Sequence, residues 1–237
     1  MGSFFFIPMK KTIITLDGHS GCGKSTLAKL LAKELNFLYI DTGAMYRAIS
    51  LFFLESNQIL KNGKLNSDFK NTLDSVNIDF SKPNEKGESW VRLNGEIVED
   101  KIRNIEISNL VSEISKNLIV RKKMVSIQQS YSDISNLIMD GRDIGSVVFP
   151  NADIKFWVTA SAEKRAYRRW LEYKQKGKNI SIQEVTKNIN YRDENDQNRK
   201  VSPLIKPINS IIIDSTDMNI DETFDFALTH IQNYLKK

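Results

Sequence analysis

Apolar and polar positions along the chain alternate between short β-type runs and helical stripes. Residues 11–16, Lys-Thr-Ile-Ile-Thr-Leu, are rich in β-branched residues and stop at Asp17-Gly18, which predicts a strand. Apolar residues at 27, 30, 31 and 35 then recur at helical spacing and predict a helix over 24–36. Residues 37–40 predict a short buried strand, and 44–56 a second helix. Strand, glycine-rich turn, helix, strand is the opening of an α/β fold with a parallel sheet. The rhythm returns with strands at 137–140 and 154–158, and with a strand at 211–214 followed by a last helix over 221–235.

Two stretches break the rhythm. Residues 76–98 alternate and contain the hairpin signal Asn94-Gly95, so 76–80, 89–93 and 96–98 predict a small antiparallel sheet inserted into the parallel one. Residues 162–200 are polar, basic and helical, and Ser181-Ile-Gln-Glu184 has the spacing of a capping box that starts a new helix. With no internal repeat and no linker, the chain reads as a single domain, 1–237.

Composition narrows the class. Of the 237 residues, 41% are hydrophobic and 27% charged, which is the mix of a folded soluble protein. No apolar run approaches the roughly 20 residues of a membrane span. One cysteine, Cys22, excludes an intramolecular disulfide and a cysteine metal cluster, and two histidines do not make a histidine metal site. The start, with Phe4-Phe-Phe-Ile7, lacks the basic flank and length of a signal peptide, so a cytoplasmic protein is expected, with Met9 as an alternative start. The net charge of +5 permits nucleic acid, an anionic membrane or phosphorylated small molecules. Only ten of the 34 basic residues are Arg, so their placement matters.

The first chemistry is Gly18-His19-Ser20-Gly21-Cys22-Gly23-Lys24-Ser25, a match to G-x-x-x-x-G-K-[ST] placed between a predicted strand and a predicted helix. Glycines let backbone N–H groups curl around phosphate oxygens, and the helix N-terminus adds positive charge. Lys24 is placed for the β- and γ-phosphates and Ser25 for Mg²⁺. These residues imply a nucleoside triphosphate site. The guanine-reading pattern Asn-Lys-x-Asp does not occur, which argues against a GTPase. A small-molecule kinase needs an acceptor site, rich in Arg when the acceptor is a phosphate.

Three further segments supply one. Thr42 and Arg47 follow the second strand and could share a phosphate. Asp140-Gly-Arg-Asp-Ile-Gly ends a strand, so Arg142 and Asp143 fall at the carboxyl edge where parallel sheets bind ligands. Arg192, Asp196 and Arg199 are spaced four and three apart, one stripe of a helix suited to a phosphorylated ribose.

Together these segments resemble the bacterial-type cytidylate kinases, P-loop nucleoside monophosphate kinases. The matching blocks are Asp17–Thr26, Tyr39-Ile-Asp-Thr-Gly-Ala-Met-Tyr-Arg47, Ile102-Arg-Asn104, Asp140–Pro150, Arg192–Arg199, Ser202-Pro-Leu204 and Ile213-Asp-Ser-Thr216, in family order from about Lys10 to the end. The resemblance implies a P-loop kinase core, an NMP-binding insert over 66–102 and a helical lid over 162–200. It implies transfer of the γ-phosphoryl group of ATP to CMP or dCMP, with Mg²⁺ on Ser25, by a monomer that binds neither nucleic acid nor membrane. Thr26 joins residues 18–25 in the ATP site, with Arg168 and Arg169 of the lid, and Arg165 shares their helical face. Arg47, Arg142 and Arg199 are expected on the acceptor phosphate, Arg192 and Asp196 on the ribose, and Ser112, Arg121 and Asp143 on cytosine. Arg103 also matches a family position. Lys24, Arg142, Arg192 and Arg199 are the expected catalytic set, and Asp17 and Asp140 are further candidates near the metal.

Arg103, Ser112 and Arg121 are nine residues apart, which is half a turn out of phase on one helix. Either the segment breaks near Asn104 and Asn117 or the three do not all face the ligand. His19 and Cys22 depart from the commoner family loop, where proline and a small residue stand, and Ser146 replaces the commoner Thr. Two other readings stay open: a P-loop kinase for shikimate or dephospho-coenzyme A, and a non-enzymatic nucleic-acid-binding protein. The first would not need the 192, 196, 199 stripe, and the second predicts a basic stripe with exposed aromatics.

Overall fold

A computed structural model describes residues 11–82, 84 and 89–236. The expectations about residues 1–9 lie outside them. Strand β1 (Ile13–Asp17) leads through the glycine-rich turn into α1 (Lys24–Leu35), and β2 (Leu38–Asp41) runs into α2 (Thr42–Glu55). An inserted block follows: α3 (Phe69–Leu73), β3 (Ile78–Phe80), β4 (Val91–Leu93), β5 (Glu96–Ile97), α4 (Glu99–Ile102), α5 (Ile105–Ile114) and α6 (Leu118–Ser130). The alternation resumes with β6 (Leu137–Gly141) and β7 (Ile154–Thr159). It ends with the pair α7 (Ala162–Gln175) and α8 (Ile182–Asn198), then β8 (Ile211–Asp214) and α9 (Ile220–Leu235).

Among the described residues, five strands form a parallel sheet in the order β2-β6-β1-β7-β8, and β3-β4-β5 form the expected antiparallel sheet. Asn94 and Gly95 both have positive φ, 49° and 89°, which the tight turn between β4 and β5 demands. Both faces of the parallel sheet are covered, as such sheets require. Met45, Ile49 and Phe53 of α2 pack with Ile107, Met124 and the small sheet in one core. Leu27 and Leu31 of α1 pack with Ala227 and Ile231 of α9 in the other. α7 and α8 share a separate small core of Ala166, Val185 and Ile189.

Local chemistry sets the boundaries. α2 starts at Thr42, two residues before the predicted 44, because Asp41 Oδ1 accepts from the Ala44 N–H at 2.9 Å. Asn104 caps α5 by accepting from Ile107 N–H, and Asn117 caps α6 by accepting from Ile119 N–H. The segment therefore does break at both asparagines. Ser181 and Glu184 form the expected capping box. The buried face of α1 differs from the predicted one: it is Leu27, Ala28, Leu31 and Ala32, while Leu30 is 38% exposed. Large apolar residues alone misplace that face because the alanines let the helix approach the sheet. No described helix is long and apolar enough to cross a membrane.

Candidate active site

Parallel register brings three aspartates to one sheet edge: Asp41 pairs opposite Asp140, and Asp17 sits opposite Gly141. Asp41 and Asp140 line a cleft of about 820 Å³. Ser20–Thr26 line one side, and Asp41, Thr42, Tyr46, Arg47, Arg103 and Arg121 another. Arg142, Asp143, Arg168, Arg169, Arg192, Asp196 and Arg199 close over it.

In the phosphate loop, α1 begins directly after Gly23 (φ 88°), and no side chain caps its first turn. Its free N–H groups and the positive end of the helix dipole therefore serve an anion. Gly18 is fixed as glycine by contact, since a Cβ would lie 1.9 Å from the Val158 carbonyl oxygen. Lys24 Nζ donates to the His19 carbonyl at 2.7 Å, and burial holds its pKa below the usual lysine range. Gly18 and His19 do not line the cleft. The His19 ring instead lies 2.9 Å from Gln197 Nε2 and packs edge-on against Trp157.

Asp140 is the buried hub beneath the loop. Ser25 Oγ donates to its Oδ2 and the Tyr39 hydroxyl to its Oδ1, both at 2.8 Å. Burial, with Asp41 nearby, raises its pKa. Asp17 faces elsewhere: its oxygens accept from the Ile144 and Gly145 N–H groups at 2.7 and 2.6 Å, fixing the π-helical turn at 144–148. Burial pushes its pKa up to about 7. Of the two candidates, only Asp140 touches Ser25.

The acceptor side contains two kinds of arginine. Arg47 and Arg192 make no hydrogen bond or ion pair with any described residue. Burial lowers each guanidinium to about 10, with Asp41 opposing the shift at Arg47, Asp196 opposing it at Arg192, and neighbouring arginines adding to it. Desolvated guanidinium groups left unpaired in this way suit an anionic ligand. The remaining arginines are held in place. Arg142 Nε donates to Asp196 Oδ2 at 2.9 Å. Arg121 donates to Asp143 Oδ2 and to the Ser115 carbonyl, and Arg199 lies 3.5 Å from Asp143 Oδ1. Arg103 bridges Asp41 at 2.9 Å and Glu99, and these cations hold the Asp41 carboxyl below its usual range despite burial.

Thr42 lines the cleft, and its hydroxyl donates to the Asp140 carbonyl at 2.7 Å, which anchors α2 to β6. Three expectations need correction. Ser112 does not line the cleft; Ser108, Val111 and Ser115 of the same stretch do. Arg199 lies beyond the end of α8 in extended conformation, so it joins Asp196 by a chain turn and not on one helix stripe. Arg165 points away from the cleft into a buried ion pair with Asp193. Arg168 and Arg169 do line the cleft: Arg168 donates to Ser215 Oγ and its carbonyl, and Arg169 lies over the Tyr173 ring.

One wall is absent from the predicted set: Ser215, Met218, Asn219, Ile220 and Thr223. The block Ile213–Thr216 is the sequence signal that points there. Tyr46 is also missing from that set; it is buried beside Arg121, with its hydroxyl unbonded.

A family model described as cytidylate kinase matches residues 14–233. The cytidylate kinase of Bacteroides fragilis is 44% identical over 229 residues, covering 96% of this chain and all of that protein. That of Flavobacterium johnsoniae is 44% identical over 234 residues, covering 96% of this chain and 99% of its own. Among solved structures, an uncharacterized protein from Eubacterium ventriosum aligns with a TM-score of 0.50 at 12% identity, covering 94% of this chain and 99% of that one, which is a likeness of fold.

Proposed function

The chain belongs to the cytidylate kinase family, and from that premise we propose how its cleft works. The enzyme transfers the γ-phosphoryl group of ATP to CMP or dCMP, giving ADP and CDP or dCDP. The observation that carries this reading is one cleft with an uncapped phosphate loop on one side and the unpaired Arg47 and Arg192 on the other.

Loop N–H groups and Lys24 grip the β- and γ-phosphates. Adenine lies against the Ser215–Thr223 wall, with Arg168 and Arg169 across from it. Arg47, Arg142 and Arg199 hold the acceptor phosphate, and Arg192 and Asp196 meet the ribose. Asp143 accepts from the exocyclic amine of cytosine, and Arg121 donates to its ring acceptors. Uracil would turn a carbonyl toward Asp143, acceptor against acceptor. The nucleophile is a phosphate oxygen already ionised at neutral pH, so positioning and charge neutralisation by Lys24, Arg142, Arg192 and Arg199 suffice without a general base.

Ser25 and Asp140 offer hard oxygen donors side by side, which fits Mg²⁺. When bound there, it neutralises charge on the nucleotide phosphates. Residues 66–102 serve as the NMP-binding insert, and 162–200 as a lid that closes to exclude water.

A coupled ADP-release assay across CMP, dCMP, UMP, AMP and shikimate tests the reading. CMP and dCMP should be turned over far faster than the rest. Faster turnover of shikimate, or none of CMP, rejects it.

A further inference from the structure

Arg165 is 5% exposed, inside the lid's base. Its Nε donates to the Ala160 carbonyl at the end of β7 (2.9 Å). Its Nη1 donates to the Ser20 carbonyl of the phosphate loop (3.2 Å) and pairs with Asp193 Oδ2 of α8 (2.5 Å). One guanidinium thus joins the sheet, the loop and the lid helix.

We propose that Arg165 and Asp193 are a positioning pair that fixes the phosphate loop and ties it to α8; this rests on reading the loop as the ATP site. A trans peptide points its C=O and N–H in opposite directions. By holding the Ser20 carbonyl outward, Arg165 turns the Gly21 N–H toward the cleft. The loop is packed tightly there: Gly21 has φ 79°, and a Cβ on it would lie 3.2 Å from the Arg165 backbone oxygen. Asp193 directly follows Arg192 and precedes Asp196 on α8, so the same link sets the lid's cleft-facing groups relative to the loop. Only a planar fork with several donors can serve all three elements at once.

The test replaces the pair by an apolar one, Arg165→Met with Asp193→Leu. A buried ion pair replaced whole by packed apolar side chains typically keeps its stability. A merely structural pair therefore leaves a folded, fully active protein. The positioning role predicts a melting temperature close to wild type and affinity for a fluorescent ATP analogue reduced about tenfold or more, as small misplacements of binding groups do. It also predicts kcat reduced similarly and KM for CMP raised, because Arg192 and Asp196 lose their register with the loop. A folded double variant with unchanged analogue affinity overturns the proposal. If the double variant does not fold, Arg165→Lys decides, because it keeps the charge beside Asp193 but cannot also reach the Ser20 carbonyl. Analogue affinity lowered tenfold in that folded variant supports the proposal, and unchanged affinity overturns it. Wild-type failure to phosphorylate CMP would count against the function proposed above, while the analogue measurement would still decide this one.

Discussion

Asp143→Asn separates base reading from stability. Asp143 is 4% exposed and faces Arg121, 2% exposed, and Arg199. Removing one partner of a buried ion pair costs about 3–5 kcal/mol, and the lower end applies because Asn retains one acceptor oxygen. For a chain of this size, about 3 kcal/mol lowers Tm by roughly 6–12 °C. The effect on specificity is distinct. A buried carboxylate against the uracil carbonyl leaves an acceptor unsatisfied, which costs roughly 1–3 kcal/mol. The Asn amide can donate to that carbonyl, so the penalty disappears. The ratio of kcat/KM for CMP over UMP should fall about tenfold or more, one decade per 1.4 kcal/mol. Coupled assays with both monophosphates, at a temperature where melts show the variant folded, measure it. KM for ATP should stay near wild type. If CMP and UMP lose the same factor, Asp143 holds the arginines without reading the base.

Other predictions follow from single contacts. Lys24→Ala should reduce kcat by about 10²–10³-fold, as loss of a charge-stabilising group does, without destabilising the fold, since burial already disfavours the charged lysine. Retained turnover contradicts the phosphate-loop reading. Asp17 binds its proton more tightly folded than unfolded, so its stabilising contribution is fully present below about 3.8 and lost as pH rises through about 7. Melts across that window should show wild type losing stability relative to Asp17→Asn, and parallel curves contradict the assignment. Gly145→Ala puts a Cβ 2.8 Å from Thr15 Oγ1 and 3.2 Å from Asp17 Oδ2, so it should cost roughly 1–3 kcal/mol. An unchanged Tm would show that the turn at 144–148 yields easily.

Much of this fold is legible in the sequence because its signals are local. The phosphate loop, the hairpin at Asn94-Gly95 and the cap at Ser181 each depend on a few adjacent residues. The nine-residue spacing of Arg103, Ser112 and Arg121 even marks the breaks that Asn104 and Asn117 cap. Direction is less legible. Arg165, Arg168 and Arg169 share a helical region, but only the fold shows that Asp193 draws Arg165 inward while the other two line the cleft. Thr42 reads as a phosphate donor, and only the fold shows its hydroxyl donating to the Asp140 carbonyl, 98 residues away. Ser112 gives way to Ser108 and Ser115 because the rotation of α5 depends on packing against α2. The Ser215–Thr223 wall comes from the far edge of the sheet and reaches the cleft only through strand order.

The most direct test follows the phosphoryl group itself. ATP labelled in its γ-phosphate is incubated with CMP and Mg²⁺, and the products are separated. The account predicts that the label appears in CDP, one for each ADP formed, and that Arg47→Ala nearly stops its appearance. Label released only as inorganic phosphate, or passed to UMP as readily as to CMP, would contradict it.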